Sequence, residues 1–464
     1  MLRSLLCGLI LWNGFLSADW SKPQPIADHS GKHMLSDSAF LDVNDNGDAV
    51  LVFTKVDGDK NYALAKIKTA DGDWSKSFKL SKKAKVKFPW EMFPKVSLNN
   101  AGDAVALWNF GVDSKHPQQE LLQASSTAIG AQGWTAIDNL TPSVTSEWPS
   151  NRLVVDTQGN TLAVWMTATT IESSLLLKGT TKWVPLPSIN LGYPFNDVLL
   201  KEKDGKVWLI WAKGYGFVFD SISVSQFSYD TQSWSDPLVL APEGADHYWF
   251  PNLAIDPQGN VFATWQLNYK EGRGADFVCV RYDVNRDVWE TTHFKQPRDN
   301  NFYNYLRITF DPQGNALCIY PDDYGLISSS LAAGSLDWSE PVWVTTDDVS
   351  EWSFTADTQG NRLFTWIEWH EKRIKTAILL ANDNRWSYPD RITTADHLVG
   401  TKLYGNGQAL IVFSKGAQLF SVTGSSLLNQ DGSKPPKQQS KVSKQVSKKI
   451  KSQSKLQVLI NPAH

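Results

Sequence analysis

The sequence is poor in cysteine and methionine and has no excess of either charge. Its 464 residues include 3 Cys and 4 Met, and 45 Lys and Arg stand against 48 Asp and Glu. So few cysteines exclude a disulfide-dense scaffold. The 30 Gly and 22 Pro are too few for a collagen-like or low-complexity chain, and 21 Trp are too many for a disordered one. We therefore expect a folded body with a large core.

The near-neutral total hides an uneven distribution of charge. Residues 432–464 contain eight lysines and no acid. The net charge of the whole chain is −3, so the remaining residues carry a net charge of −11. An acidic body is not expected to bind nucleic acid. Residues 428–464 are rich in Ser, Gln and Lys and are predicted to form a disordered tail. Contact of these lysines with an anionic surface, such as lipid headgroups or cell-envelope polymers, stays open.

Residues 1–18 read as a signal peptide. Arg3 precedes an apolar stretch from Leu5 to Leu16, and Ser17-Ala18 offers a small residue before the cleavage point. An uncleaved anchor or a first strand is the alternative. Export predicts a secreted, periplasmic or cell-envelope protein whose folded body spans 19–427. Cys279 and Cys318 are then expected as buried free thiols, although their pairing stays open.

Internal repetition is the strongest signal in the chain. Eight glycines are each followed six positions later by an aromatic residue, and six of them are preceded by Asn or Asp three positions earlier. The glycines are Gly47, Gly102, Gly159, Gly205, Gly259, Gly314, Gly360 and Gly407. The best copies read Asp-Thr-Gln-Gly-Asn or Asp-Pro-Gln-Gly-Asn. Asp accepts backbone N–H bonds at the start of a turn and Gly adopts the left-handed conformation that closes it, so each copy predicts a β-hairpin.

A second repeat of tryptophans interleaves with the first. Each follows a polar turn and is expected to lead a fourth strand; the set is Trp20, Trp74, Trp134, Trp183, Trp234, Trp289, Trp338 and Trp386. The glycine interval averages about 51 residues, which is typical of a four-stranded propeller blade. We predict an all-β, eight-bladed β-propeller of antiparallel blades, with seven blades as the alternative.

The two ends of the repeat complement each other. Residues 20–27 form a tryptophan strand with no hairpin before it, and the unit from Lys402 to Leu427 has three strands with no tryptophan strand after them. We therefore expect the N-terminal strand to complete the last blade and close the ring.

This layout resembles that of bacterial secreted β-propeller repeat proteins, and the blades are similar to those of the sialidase superfamily. The Asp71-Gly72-Asp73-Trp74 turn resembles the Asp-box of that superfamily. The resemblance implies the fold and not the activity, because Arg307-Ile308 is followed by Thr309 where the family motif has proline, and no arginine triad can be assigned.

Aromatic residues recur beside polar ones where strand one begins, on the rim opposite the glycine hairpins. We call this the loop rim, and the hairpin side the turn rim. If strand one is innermost, the loop rim surrounds the mouth of a central channel, where aromatic faces and carboxylates suit a sugar. The candidate binding residues are Trp90, Glu91, Glu147, Trp148, Tyr193, Trp249, Tyr303, Tyr305, Trp352, Trp369 and His370. Alternatively, these aromatics wedge between blades and the acids only face solvent.

The function expected from these features is an exported binding module that contacts a glycan or a protein and acts as a monomer, and whether it is also an enzyme stays open. A glycoside hydrolase using two carboxylates about 5 to 10 Å apart is the first alternative, and a structural envelope scaffold is the second. The catalytic candidates would be Glu351, Glu368, Glu371, Asp322 and Asp323. No cofactor or metal is predicted, although calcium at the Asp-rich turns stays open.

Overall fold

The computed structural model describes the propeller residue by residue, with gaps at several loops. The described residues are 19–26, 39–57, 60–82, 92–111, 120–141, 151–167, 169–191, 195–215, 218–241, 247–268, 275–294, 306–322, 325–381, 383–405, 407–416 and 418–425. Ala18–Leu427 form one compact unit. The predicted signal peptide and lysine-rich tail lie outside the described residues. Within the described ranges no helix is long and apolar enough to span a bilayer.

The described residues form eight antiparallel blades, which confirms the predicted eight-bladed propeller and excludes seven. Blades 1 to 3 contain the first strands after the closing segment. Their strands are β3 (Ala39–Val43), β4 (Ala49–Asp57), β5 (Lys60–Lys68) and β6 (Phe78–Lys79); β7 (Lys95–Leu98), β8 (Asp103–Gly111), β9 (Glu120–Ala128) and β10 (Asp138–Asn139); and β11 (Asn151–Val155), β12 (Thr161–Met166), β13 (Thr170–Leu176), β14 (Val184–Pro185) and β15 (Ile189–Asn190).

Blades 4 and 5 are joined by one backbone pairing, Phe219 with Tyr248, and so form a continuous sheet. Their strands are β16 (Phe195–Lys203), β17 (Lys206–Tyr215), β18 (Val218–Ser228), β19 (Ser233–Trp234) and β20 (Leu238–Ala241); and β21 (His247–Ile255), β22 (Val261–Asn268), β23 (Ala275–Asp283) and β24 (Val288–Thr291).

Blades 6 to 8 complete the ring. Their strands are β25 (Arg307–Phe310), β26 (Ala316–Asp322), β27 (Gly325–Leu331) and β28 (Val342–Thr345); β29 (Val349–Ala356), β30 (Arg362–Glu368), β31 (Arg373–Leu379) and β32 (Asp390–Thr394); and β33 (His397–Tyr404), β34 (Gln408–Lys415) and β35 (Gln418–Ser425). The first strand of each blade contacts the first strand of the next, all the way round, so strand one is innermost as expected.

The N-terminal segment closes the ring as predicted. Strands β1 (Asp19–Trp20) and β2 (Gln24–Pro25) pair antiparallel with β35, with Trp20 opposite Gly424. The Ile26 amide donates to the Leu419 carbonyl at 2.8 Å. The junction is sealed from the other side, because the Trp74 indole of blade 1 donates to the Ser421 hydroxyl of blade 8 at 3.1 Å. Blade 8 therefore takes its outer strand from the start of the chain.

The core consists of apolar clusters wedged between neighbouring blades. The aromatic residue of each glycine repeat is buried in one of them: Phe53, Trp108, Trp165, Trp211, Trp265, Tyr320, Trp366 and Phe413. Strand two is buried on both faces, as expected for Ala104 through Leu107. Truncating such an aromatic typically costs about 3 to 5 kcal/mol, so the recurring aromatics of strand two are explained by packing.

The tryptophans of the second repeat differ from the prediction. Most stand just before a short fourth strand and do not lie within it, and their indoles reach back to the preceding blade. Trp234 donates to the Ser173 hydroxyl at 3.0 Å, and Trp386 to the Ser328 hydroxyl at 3.0 Å. The tryptophan is therefore a tie between blades, and a strand of two to five residues is enough to complete each sheet edge.

The turn rim is held by a carboxylate–amide pair in each well-formed repeat. In blade 7, Asp357 Oδ1 accepts the backbone N–H groups of Gln359 and Asn361, and the Asn361 side-chain amide donates to Asp357 Oδ2 at 2.9 Å. Asn361 Oδ1 in turn accepts the Ala381 amide. The final Asn of the repeat thus joins this hairpin to the next turn of its blade. Gly360 has φ +87°, and an added Cβ would lie 2.8 Å from Asp311 Cβ of blade 6.

Candidate functional site

Alternate side chains of strand one face the central channel, because the intervening ones pack into the clusters between blades. In β7, Val96 and Leu98 are buried, whereas Lys95 and Ser97 are partly exposed. We call six of the charged residues at such positions in the described part of strand one the channel charges. They are Asp42, Lys95, Arg152, Lys201, Arg307 and Lys402.

Lys201 interacts electrostatically with four of the other channel charges. Surrounding protein lowers the pKa of its ammonium through desolvation, and the attraction of Asp42 acts in the opposite direction. Repulsion from Arg307, Lys402 and Arg152 lowers the pKa further. Since these residues belong to blades 1, 3, 6 and 8, the side chains share one electrostatic environment across the channel.

Asp42 is the acid of the set. Burial raises the pKa of its carboxyl to about 6, while the amides of Leu98 and Val43, at 2.8 and 2.9 Å, and the charge of Lys402 act to lower it. The Leu98 amide belongs to blade 2, so this carboxylate also joins two blades. With this pKa the carboxyl is mostly ionised at neutral pH and acts as a counter-charge to the cations, and it becomes neutral only in more acidic solution.

A cavity of about 290 Å³ opens along the channel between blades 4 and 7. Lys201 and Arg307 line it together with Asn252, and Phe310 and Phe354 supply apolar wall. This volume lies near the lower end of the range for ligand pockets, about 300 Å³. Lys203 and the carboxylate of Glu202 also line it, so the cavity offers cations, one acid and apolar surface to one small group.

Arg307 is placed by stacking. Its guanidinium carbon lies 5.1 Å from the centre of the Trp352 ring of blade 7, a cation–π contact between neighbouring blades. The Trp352 ring also lies 5.7 Å from that of Phe364 and packs against the cluster between blades 6 and 7. Trp352 thus lies between two blades. This is the position that the alternative interpretation of the sequence, in which the aromatics wedge between blades, gave to such residues.

Glu351 joins blades 7 and 8 at the loop rim. One carboxylate oxygen lies 2.7 Å from His397 Nδ1, and the other accepts the Leu398 amide at 2.7 Å. Both partners belong to the first strand of blade 8. The carboxylate is accordingly used as an interblade tie in this structure.

Glu368 is part of a compact charged cluster at the end of β30. Lys375 Nζ lies 2.7 Å from Glu368 Oε2 and 2.9 Å from Asp347 Oδ2. The Trp366 indole also donates to Asp347 Oδ2, at 3.0 Å. Although burial opposes it, the hydrogen bonds and charges of the two acids raise the pKa of Lys375. The ammonium is held charged and fixes both carboxylates.

The remaining described candidates of the loop rim differ in exposure. Trp369 is 62% exposed, and the neighbouring His370 ring lies 3.4 Å from an Asp348 carboxylate oxygen. Glu371 pairs with Arg373 at 3.3 Å. Asp322 ends β26 and is partly buried. Trp369 is therefore the candidate aromatic that offers an open face to a ligand among these.

The other candidates cannot be placed. Trp90, Glu91, Glu147, Trp148, Tyr193, Tyr303, Tyr305 and Asp323 lie outside the described residues, as does the side chain of Trp249. Among the described residues no group of three or more His, Cys, Asp or Glu side chains could hold a metal ion. Cys279 and Cys318 are buried free thiols, as expected.

Sequence reasoning missed the channel charges. The signal was present, because each stands four to seven residues before a repeat glycine, on the face of strand one opposite its apolar residues. A Lys or Arg within a strand that is otherwise buried marks a position facing water or a ligand. The predicted candidates lie at or before the start of strand one and in the loops after strand two, whereas the middle of the innermost strand also lines the channel of a propeller.

Comparison with known proteins places the fold. No family model matches the sequence, and no curated protein matches it. Similar solved structures include the BP39L lectin of Burkholderia pseudomallei, at 10% identity over 77% of this chain and 99% of the lectin, with a TM-score of 0.50. The polysaccharide lyase Uly1 has 10% identity over 86% and 90%, with a TM-score of 0.48, and the Hadza microbial sialidase Hz136 has 12% over 79% and 73%, with 0.42. At these identities the similarities concern the fold alone.

Proposed function

We propose that this protein is an exported β-propeller that binds a carbohydrate in its central channel. The observation that carries the proposal is the cavity of about 290 Å³ that Lys201, Asn252 and Arg307 line between blades 4 and 7. Polar groups that converge beside apolar wall are what a small-ligand site requires. The lectin whose fold is similar over nearly its whole length supports a carbohydrate as the ligand.

The loop rim would complete such a site at the channel mouth. Trp369 presents a ring that is 62% exposed, and a flat apolar ring can stack on a sugar face. The described carboxylates there are engaged in ties and ion pairs, namely Glu351 with His397 and Glu368 with Lys375. A binding role is compatible with these contacts, whereas catalysis by Glu351 or Glu368 would require the carboxylate to leave its present partner.

A glycan array tests the proposal on the full chain. Ala254 lines the cavity and is partly exposed, so Ala254→Trp would fill the space without altering any charge. Val342→Trp is the matched control, because Val342 is 52% exposed on an outer strand. We expect glycan binding by the wild type and by Val342→Trp, and its loss in Ala254→Trp. Absence of binding to any glycan would overturn the proposal in favour of a scaffold or a protein-binding module.

Export is the second part of the proposal. β1 begins at Asp19, the residue after the predicted cleavage point, so cleavage there would leave the closing strand intact. N-terminal sequencing of protein recovered from the periplasm or medium should give Asp19 first. Recovery of the uncleaved chain from the cytoplasm would contradict export.

A further inference from the structure

A histidine and a glutamate form a dyad at the loop rim. His397 begins the first strand of blade 8, and its Nδ1 atom lies 2.7 Å from a carboxylate oxygen of Glu351 in the first strand of blade 7. The other Glu351 oxygen accepts the Leu398 amide at 2.7 Å, so the carboxylate is held on both sides. The imidazole donates its Nδ1–H to this acceptor, and the neutral ring then carries its lone pair on Nε2.

The Nε2 atom of His397 is the open end of the dyad. Within the described part of the chain no hydrogen bond or ion pair involves this atom, and the His397 side chain is 40% exposed. His293 and His370, the other histidines whose side chains are described, contact more exposed carboxylates at the longer distances of 3.2 and 3.4 Å. A carboxylate fixed on Nδ1 with an accessible Nε2 is the arrangement that orients a histidine for proton transfer.

The exposed Trp369 ring shares this part of the rim. Trp369 belongs to the turn after β30, and β30 pairs with the strand that contains Glu351. The Lys372 carbonyl in the same turn accepts the amide of Ala395 at 2.8 Å, two residues before His397. Backbone hydrogen bonds therefore hold together the segments that carry a flat ring for stacking and an oriented base.

We propose that the dyad makes the protein a saccharide esterase, in which His397 is the catalytic base and Glu351 its positioning residue. This inference rests on the proposed carbohydrate-binding function and adds an activity and a substrate class, an O-acylated saccharide. His397 Nε2 takes a proton from water while the water oxygen bonds to the ester carbonyl carbon. The ring then returns the proton to the sugar oxygen as its bond to that carbon breaks, which leaves a carboxylic acid and a free sugar hydroxyl.

Ester hydrolysis suits this site better than glycoside hydrolysis. A glycosidase needs a protonated carboxyl group and a second carboxylate beside the scissile bond. At this rim the Glu351 carboxylate is bound by His397 and Leu398, and that of Glu368 by Lys375. Imidazole, in contrast, accepts and returns a proton near neutral pH, which is what the attack of water on an ester requires.

The test measures acetate release from O-acetylated oligosaccharides by the full chain, and calorimetric binding of the same oligosaccharides. His397→Gln removes the base. His293→Gln is the matched control, because His293 also lies near a carboxylate but follows the outermost strand of blade 5. Melting temperatures show whether each variant is folded.

Glu351→Gln tests the positioning residue through the pH–rate profile. Loss of this carboxylate disfavours the protonated ring, an effect that a merely structural tie between blades would not have on a rate. The other acid whose charge interacts with His397 is Asp396. Its carboxylate is bound by Lys372 at 3.3 Å and by the Gly416 amide at 2.7 Å, and it is present in every variant.

We expect acetate release to fall by about 100-fold or more in His397→Gln, since a general base contributes about 10²- to 10⁴-fold, and to be unchanged in His293→Gln. The wild-type rate should rise with pH as the ring loses its proton. This limb of the profile should move to lower pH in Glu351→Gln and vanish in His397→Gln. If His397→Gln does not fold, the Glu351→Gln profile decides.

Equal rates for the wild type and His397→Gln, or the same pH profile in Glu351→Gln, would overturn the inference. Binding of the oligosaccharides without acetate release would also overturn it, while the carbohydrate-binding function stands. Absence of both binding and acetate release would overturn the two proposals together.

Discussion

Exchanging the members of the carboxylate–amide pair at Asp357 and Asn361 should preserve the turn, although each single exchange damages it. Blade 1 already has the exchanged order, because Asn44 occupies the position of Asp357 and Asp48 occupies the position of Asn361. There the Asn44 amide donates to Asp48 Oδ2 at 3.2 Å, and Asn44 Oδ1 accepts the Asp48 backbone amide at 2.9 Å. Asp48 Oδ1 also takes the place of Asn361 Oδ1, accepting the Ala70 amide at 3.2 Å.

The magnitudes follow from what each variant brings together. Asp357→Asn sets two amide N–H₂ groups against each other and leaves one buried donor unpaired. Asn361→Asp sets two carboxylates at the present 2.9 Å separation. Each single change removes a charge-assisted bond, so we expect a cost of about 2 kcal/mol, and less than about 1 kcal/mol for the double exchange. The coupling energy would then be about 3 kcal/mol, at the upper end for residues in contact.

Calorimetric melting temperature is a suitable assay. Unfolding entropy of about 2.1 cal/mol/K per residue over about 400 ordered residues gives roughly 0.8 kcal/mol/K, so 2 kcal/mol lowers Tm by about 2 to 3 °C. Asp230→Asn removes one charge at an exposed position and serves as the control. A double variant that melts no higher than the less stable single variant would refute the reasoning that the two orders are equivalent.

Three further predictions concern closure, pH and the thiols. Trp20→Ala should lower Tm by about 3 °C and speed the hydrogen exchange of the β35 amides. Trp134→Ala is the control, because its blade is covalently continuous, and it should leave the exchange of the β35 amides unchanged. Equal exchange in both variants would contradict closure by a detachable strand. Burial raises the pKa of Asp42 to about 6, so its ionisation destabilises the fold above that pH. The Tm of the wild type minus the Tm of Asp42→Asn should therefore rise as the pH falls from 7.5 to 5. A difference that stays constant over this range would mean that the carboxyl titrates normally. Burial raises the pKa of Cys279 to about 12 and that of Cys318 well above its usual range, so neither thiol should react with a thiol reagent at pH 8 until denaturant is added; modification of the native protein would show that the cluster opens.

Recurrent features of the sequence were enough to predict the architecture. The repeat from Asp357 to Asn361 shows why, because turn chemistry is local: Asp supplies the acceptor and Gly360 the left-handed conformation, whatever the neighbouring blade contains. Closure was also readable, since Trp20 lacked a hairpin and the last unit lacked a fourth strand. The final Asn of the repeat passed unexplained, because its partner, the Ala381 amide, belongs to the next turn of the blade.

The candidate site was much less accessible to this reasoning. Trp352 and Glu351 suggested a sugar-binding rim, yet the first stacks under Arg307 and packs between blades, and the second joins His397 of blade 8. Their partners lie about 45 residues away in sequence, on separate blades, and no local pattern specifies which side chains meet there. Spacing predicts the rim on which a residue lies, but not whether its side chain faces a ligand or a neighbour.

The sequence by itself determined the four-stranded blades and the way the ring closes, because hairpin turns and alternating strands are set by residues close together in the chain, and the structure then fixed their number at eight. Only the tertiary structure decided that Lys201 and Arg307, 106 positions apart, line one cavity and that Asp42 lies within electrostatic reach of Lys201. The physical reason is that closing the ring brings the innermost strands of separate blades around one axis, and charges assembled in this way depend on the geometry of the whole ring.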